Sequence, residues 1–296
     1  MVDEAAVSLL LTPSEVTPET ASCRNGKHMA NAAAYSSLNG TNLRRPSLFD
    51  ALGEFRVPLE ATMTLWSAIT STWPAVEPAQ RKIVMLIPGF MAGDSSLIPL
   101  ANFLHRRGHR TIFGGIVSNS DCPRDTVRSL SSRLLQARER FAQRIVVIGQ
   151  SLGGVYAREL ARIHPDAVER VITLGAPIRQ PRDAANVAVQ AVARSMAMLR
   201  GRADGCLSES CRCGMMINDI APIGVPITVL YSRSDGIVHW QSCIDHSELR
   251  TVENVEIPGS HCGMGINVSA YRIIADRLAL PRRSVTRPGR ASASSN

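Results

Sequence analysis

The stretch Arg144-Ile-Val-Val-Ile-Gly-Gln-Ser-Leu-Gly-Gly154 constrains the fold of this chain more than any other. Residues 145–148 are an unbroken β-branched run, which suits a strand covered on both faces and therefore a parallel sheet. Gly149-Gln-Ser-Leu-Gly153 follows at once and matches G-x-S-x-G. Residues 155–163 then read as an amphipathic helix. A serine on so tight a strand-to-helix turn is held in a strained backbone conformation, with its hydroxyl pointing into a cleft. Side chains at 149 and 153 would collide with the neighbouring strand and helix, so small residues are needed there. The helix start after Ser151 presents free N–H groups and a partial positive charge to a developing oxyanion. The strand before and the helix after favour this reading over a glycine-rich turn with an idle serine.

From residue 81 strand and helix patterns alternate. The strands are 83–87, 110–116, 145–148, 168–174, 226–231 and 254–257; the helices are 95–107, 125–143, 155–163 and 267–280. Such alternation predicts an α/β fold, a three-layer sandwich whose mostly parallel sheet has about six strands and helices on both faces. The sandwich spans residues 46–281. Residues 1–45, rich in Ala, Ser, Thr and Asn without a period, read as a largely disordered N-terminal segment, and 282–296 as a disordered basic tail. Ser47 caps a helical stripe of Leu48, Leu52, Phe55, Leu59, Leu65 and Ile69, split by Pro58. That stripe is expected to pack on the sheet; interfacial contact with a membrane is the minority reading. Residues 180–221 are too long for a simple connection and form a lid-like insertion, whether moving or static.

The formal charge is +8, from 33 basic and 25 acidic residues, and Arg282, Arg283, Arg287 and Arg290 carry half of that excess in a tail without acids. No basic cluster is interleaved with aromatics, so no nucleic-acid partner is expected. No apolar run approaches the roughly 18 residues of a membrane span. Asp3 and Glu4 stand where a secretory leader would be basic, and a cytoplasmic location is expected. The seven cysteines are an odd number, so at least one is unpaired within the chain. Cys206, Cys211 and Cys213 lack an obvious fourth ligand, and no metal is expected there.

A serine hydroxyl needs a base, and the base needs an orienting acid. On such sheets these groups sit in loops after strands, in the chain order serine, acid, histidine. Asp235 directly follows the strand 226–231, and Asp235-Gly236 is turn-forming; Asp245 competes from further along. His261 lies after the last strand and before the last helix. His105, His109 and His164 precede the acid, while His239 and His246 precede the last strand. An oxyanion hole needs two converging N–H groups. Leu152 supplies one; Phe90 in the loop Pro88-Gly-Phe-Met-Ala-Gly-Asp94 supplies the other, with Met91 the runner-up and a candidate substrate contact.

Five stretches, 83–90, 149–154, 171–177, 231–238 and 258–265, occur in an order that resembles the α/β-hydrolase superfamily, within it the lipase/esterase group with a single-glycine oxyanion loop. The resemblance covers about 81–280. It implies ester hydrolysis through an acyl-enzyme, with Ser151, Asp235 and His261 as triad, a hydrophobic or lipid-like ester as substrate, and no cofactor. An acyltransferase or thioesterase with the same triad, or a binding protein on this scaffold, are the alternatives. In two respects the chain departs from the full fold: the initial strands are replaced by the helix at 47–71, and 180–221 is shorter than a full cap. Both are similar to compact bacterial lipases. Cys243 and Cys262 flank the acid and histidine loops, where either a disulfide or two free thiols would fit.

Overall fold

The computed structural model describes residues 74–178, 223–247 and 251–280, together with 54, 57, 58 and 62. Among them a six-stranded sheet is built from β1 (Ile83–Ile87), β2 (Arg110–Phe113), β3 (Ile145–Gln150), β4 (Val168–Leu174), β5 (Ile227–Tyr231) and β6 (Val252–Glu256). The strand order is β2-β1-β3-β4-β5-β6 and every pairing is parallel. The helices are α1 (Ile98–Arg106), α2 (Pro123–Phe141), α3 (Leu152–Ile163), the single turn α4 (Trp240–Cys243) and α5 (Val268–Ala279).

Alternation along the strands divides the core into two layers. Ile83, Met85, Ile87, Val147, Val171 and Val229 face α2 and α3, meeting Leu130, Leu134, Tyr156 and Leu160. Val84, Leu86, Val146, Ile148, Ile172 and Leu230 face α1 and α5, meeting Leu100, Leu104, Tyr271 and Ile274. These strands are apolar on both sides because helices cover both sides. The chain steps outward from β1 to β2 and then returns past β1 to β3. Right-handed crossovers therefore place α1 and α2 on opposite faces. The reversal opens a crevice beyond the carboxyl ends of β1 and β3, the usual ligand position in open parallel sheets.

Several boundaries differ from the sequence expectation for local reasons. The second strand ends at Phe113, not 116, because the Gly115 and Ile116 amides donate to Asp94 Oδ2 (2.8 and 3.0 Å) instead of to a neighbouring strand. The third continues to Gln150 and α3 starts directly after Ser151, so the turn between them is a single residue. The helix expected at 95–107 begins as a 3-10 turn over Asp94–Leu97 before α1. Pro123 opens α2 two residues early, since its missing N–H costs nothing in a first turn, and Ala142 ends it at φ 51°. Asn267 caps α5 by accepting from the Ala270 amide at 3.0 Å. The expected N-terminal segment, lid-like insertion, its three cysteines and the basic tail lie outside the described residues, as does most of the helix at 47–71. Among the described residues no helix is long and apolar enough to cross a membrane.

Candidate active site

Ser151 follows the last residue of β3 and precedes the first of α3, at φ 50° and ψ −123°. A non-glycine residue rarely adopts this conformation, and it is held here by packing on both sides. A Cβ on Gly149 would lie 2.2 Å from the Gly153 carbonyl oxygen, and one on Gly153 would lie 2.3 Å from that of Ile87. The two glycines thus let strand, turn and helix approach within backbone distance, as the motif demands.

Asp235 and His261 meet. The His261 Nδ1 donates to Asp235 Oδ2 at 2.6 Å, and both residues are buried, at 5% and 7% exposure for the histidine and the acid. The second carboxylate oxygen, Oδ1, accepts from the Ile237 and Val238 amides at 2.9 and 2.7 Å, which fixes the carboxylate in one orientation. Burial pulls the imidazole toward the neutral form. The Asp235 charge, its hydrogen bond and the Glu54 carboxylate outweigh that, and His261 titrates above the ordinary histidine range. Ser151 joins this pair through its neighbour: the Gln150 side-chain amide donates to the His261 carbonyl at 3.2 Å. Among the described residues no hydrogen bond links the serine hydroxyl to the imidazole; such bonds commonly tighten only around a substrate.

The loop after β1 lies against the turn, with a Cβ on Gly89 placed 3.1 Å from that of Ser151. Among the described residues neither the Phe90 nor the Leu152 amide donates to another group, which leaves both free for an incoming oxygen. The Met91 amide is committed to the Asn119 carbonyl at 3.0 Å, so the runner-up donor is excluded from that role in this arrangement. Met91 instead presents its side chain, 46% exposed at φ 59°, to the surface. Asn119, 2% exposed, pins the loop from behind, its side-chain amide donating to the Pro88 carbonyl at 2.7 Å.

Four of the competitors have other partners. Asp245 accepts from Arg158 at 2.7 Å and from the Ser247 amide at 2.8 Å. Burial pushes its carboxyl up, but Arg158 and Ser247 prevail and hold it below the ordinary range. His105 pairs with Thr111, His109 accepts from the Lys82 amide, and His239 stacks on Trp240. The disulfide considered between Cys243 and Cys262 does not form: no disulfide joins the two, the first buried and the second exposed. A cavity of about 450 Å³ lined by Arg81, His105, Arg110 and Phe141 opens at the amino ends of β1 and β2, away from these groups.

No protein-family model matches the sequence, and no curated protein matches it at a significant level. Solved structures do match. A Bacillus licheniformis lipase in its mature form superposes with a TM-score of 0.51 at 17% identity, covering 71% of this chain and 96% of that one. A metagenome-derived lipolytic enzyme gives 0.51 at 14% identity, covering 70% and 95%. Aspergillus fumigatus lipase B gives 0.51 at 16% identity, covering 69% of this chain and 54% of that one. The chain has the α/β-hydrolase fold. In this α/β-hydrolase fold, the loops after β1, β3, β5 and β6 carry Phe90, Ser151, Asp235 and His261, all at the carboxyl edge of the sheet.

Sequence reasoning missed four residues of this candidate site. Gln150 and Asn119 act through main-chain carbonyls. Gly175 sits at φ 57°, where a Cβ would lie 3.1 Å from His261 Nδ1 and 3.2 Å from Asp235 Oδ2. Glu54 reaches the site from far upstream. Only Gly175 left a signal, as a glycine directly after a buried strand.

Proposed function

We propose that this chain is a serine hydrolase that cleaves carboxylic esters of hydrophobic or lipid-like character through an acyl-enzyme. The observation that carries the reading is the buried 2.6 Å bond between His261 and Asp235 beside a serine at φ 50°. Ser151 attacks the ester carbonyl while His261 Nε2 takes its proton. Asp235 holds the Nδ1–H tautomer and stabilises the imidazolium. The Phe90 and Leu152 amides bind the tetrahedral oxyanion, and His261 returns the proton to the leaving alcohol. Water then repeats the sequence on the acyl-enzyme. An apolar substrate is favoured by Met91, whose side chain is 46% exposed next to Phe90 in the loop after β1.

Fluorophosphonate labelling with peptide mapping tests the nucleophile, and nitrophenyl esters of increasing acyl length test the substrate class. Labelling at Ser151, lost in Ser151→Ala together with turnover, is the expected result. Wild-type protein that resists the probe, or a Ser151→Ala variant that still hydrolyses esters, refutes the reading.

A further inference from the structure

Four groups hold the histidine loop against the acid loop or the serine turn. Ser232 Oγ donates to the Gly259 carbonyl at 2.7 Å, and His261 itself bonds Asp235. Gln150 holds the His261 carbonyl. The fourth is Glu54, whose partners are all main-chain amides. Its Oε1 accepts from Gly236 at 3.1 Å and from His261 at 2.9 Å, and its Oε2 accepts from Cys262 at 2.9 Å. Gly236 follows the acid directly, and the other two amides belong to the histidine and the residue after it.

We propose that Glu54 is a positioning residue of this site, its carboxylate clamping the acid loop to the histidine loop through three backbone amides. This rests on the hydrolase reading given above. The chemistry requires a carboxylate. Two oxygens without hydrogens receive three N–H groups, whereas glutamine would turn an NH₂ toward one of them. Aspartate would fall short by one methylene, about 1.5 Å. The clamp takes the place of the covalent tie considered between Cys243 and Cys262, and unlike a disulfide it places a second negative charge near the imidazole.

That charge has a direction of effect. The charged groups acting on His261 are Asp235 and Glu54; the buried Cys243 thiol lies near Asp235, and the exposed Cys262 follows His261 in the chain. Burial and the Asp235 charge keep Cys243 protonated and neutral. Both carboxylates therefore favour the imidazolium that forms as the serine attacks. Removing the Glu54 charge lowers the pH at which the imidazole loses its proton. It also weakens the imidazolium in the transition state, so activity falls while its acid limb moves down.

The experiment compares wild type, Ser151→Ala, Glu54→Gln and Glu54→Ala in full-length chains, with a nitrophenyl ester and the fluorophosphonate probe. Wild-type labelling and its loss in Ser151→Ala establish the hydrolase reading independently. Given that, both Glu54 variants are expected to lose about tenfold to a hundredfold in kcat, the scale of small misplacements of a reacting group. KM should stay within about twofold, the acid limb should move to lower pH, and added formate should restore part of the rate in Glu54→Ala. A folded variant with wild-type kcat and an unmoved acid limb overturns the proposal. If the variants do not fold, the amide resonances of Gly236, His261 and Cys262 in Ser151→Ala decide. Shifts in common with titration of the Glu54 side chain support the clamp; shifts independent of it overturn it.

Discussion

At the scale of single residues the site is held in conformations the backbone resists. A serine at φ 50° and ψ −123° stores about 1–3 kcal/mol, which glycine would not. Glycine loses more chain entropy on folding, about 0.4–1 kcal/mol. Ser151→Gly is therefore expected to raise the urea midpoint, by about 1 kcal/mol of stability, while abolishing turnover. A destabilised Ser151→Gly protein would show that the turn is not strained. Gly175 is the reverse case. Alanine there combines φ 57° with contacts of 2.9 Å to Met264 Sδ and 3.1 Å to His261 Nδ1. Gly175→Ala should lose about 1–2 kcal/mol and lower kcat by about tenfold or more, since its methyl displaces the imidazole. Steady-state kinetics and urea unfolding on one preparation read both effects. Neither Gly175 nor Glu54 could be assigned a role from sequence. The Glu54 partners lie 182, 207 and 208 residues away, and no local pattern marks a contact of that kind.

At the scale of elements, α3 does two things at once. Its first turn presents the Leu152 amide and the positive end of the helix to Ser151, and its middle holds Asp245 through Arg158. That ion pair is nearly buried, with side chains 12% and 9% exposed. Removing the guanidinium leaves a buried carboxylate without its cation. Arg158→Ala is expected to cost about 3–5 kcal/mol, read from the urea midpoint. Arg158→Ala with Asp245→Asn should recover part of that loss, and no recovery would separate the two residues energetically. The strand boundaries show why some elements were legible and others not. A run such as Ile145–Gln150 announces itself because both of its faces are covered. The β6 strand, half exposed along its length, has no such signature, and its expected start at 254 fell two residues late. The 110–116 strand was overextended because the turn after Phe113 is dictated by Asp94, a tertiary partner.

At the scale of the molecule, one proton links function to folding. His261 titrates above the ordinary histidine value of 6.5 in the folded chain, where burial is outweighed by Asp235 and Glu54. Between the two values the folded state binds more protons than the unfolded one, so stability falls as pH rises. The contribution is complete below about pH 6.5 and lost through the raised folded value. In the proposed mechanism a neutral imidazole accepts the serine proton, so kcat/KM should rise over that same window. Urea midpoints and ester hydrolysis measured across pH 6–9 are thus expected to move in opposite directions. His261→Gln should flatten the stability change; an unaltered slope would assign it to other groups.

The sequence alone determined the order of strands and helices and the serine turn, and it pointed to Asp235 and His261, which the structure brings within 2.6 Å of each other. These features are local: a β-branched run, two glycines around a serine, and a polar loop after each buried strand. Tertiary structure decided which amide is free in the loop after β1, because the Asn119 carbonyl occupies that of Met91. It also decided that Arg158 claims Asp245 and that a carboxylate, not a disulfide, joins the two loops. Each of those depends on which polar groups meet once the sheet is assembled, and hydrogen bonds between distant segments leave no periodicity in the chain.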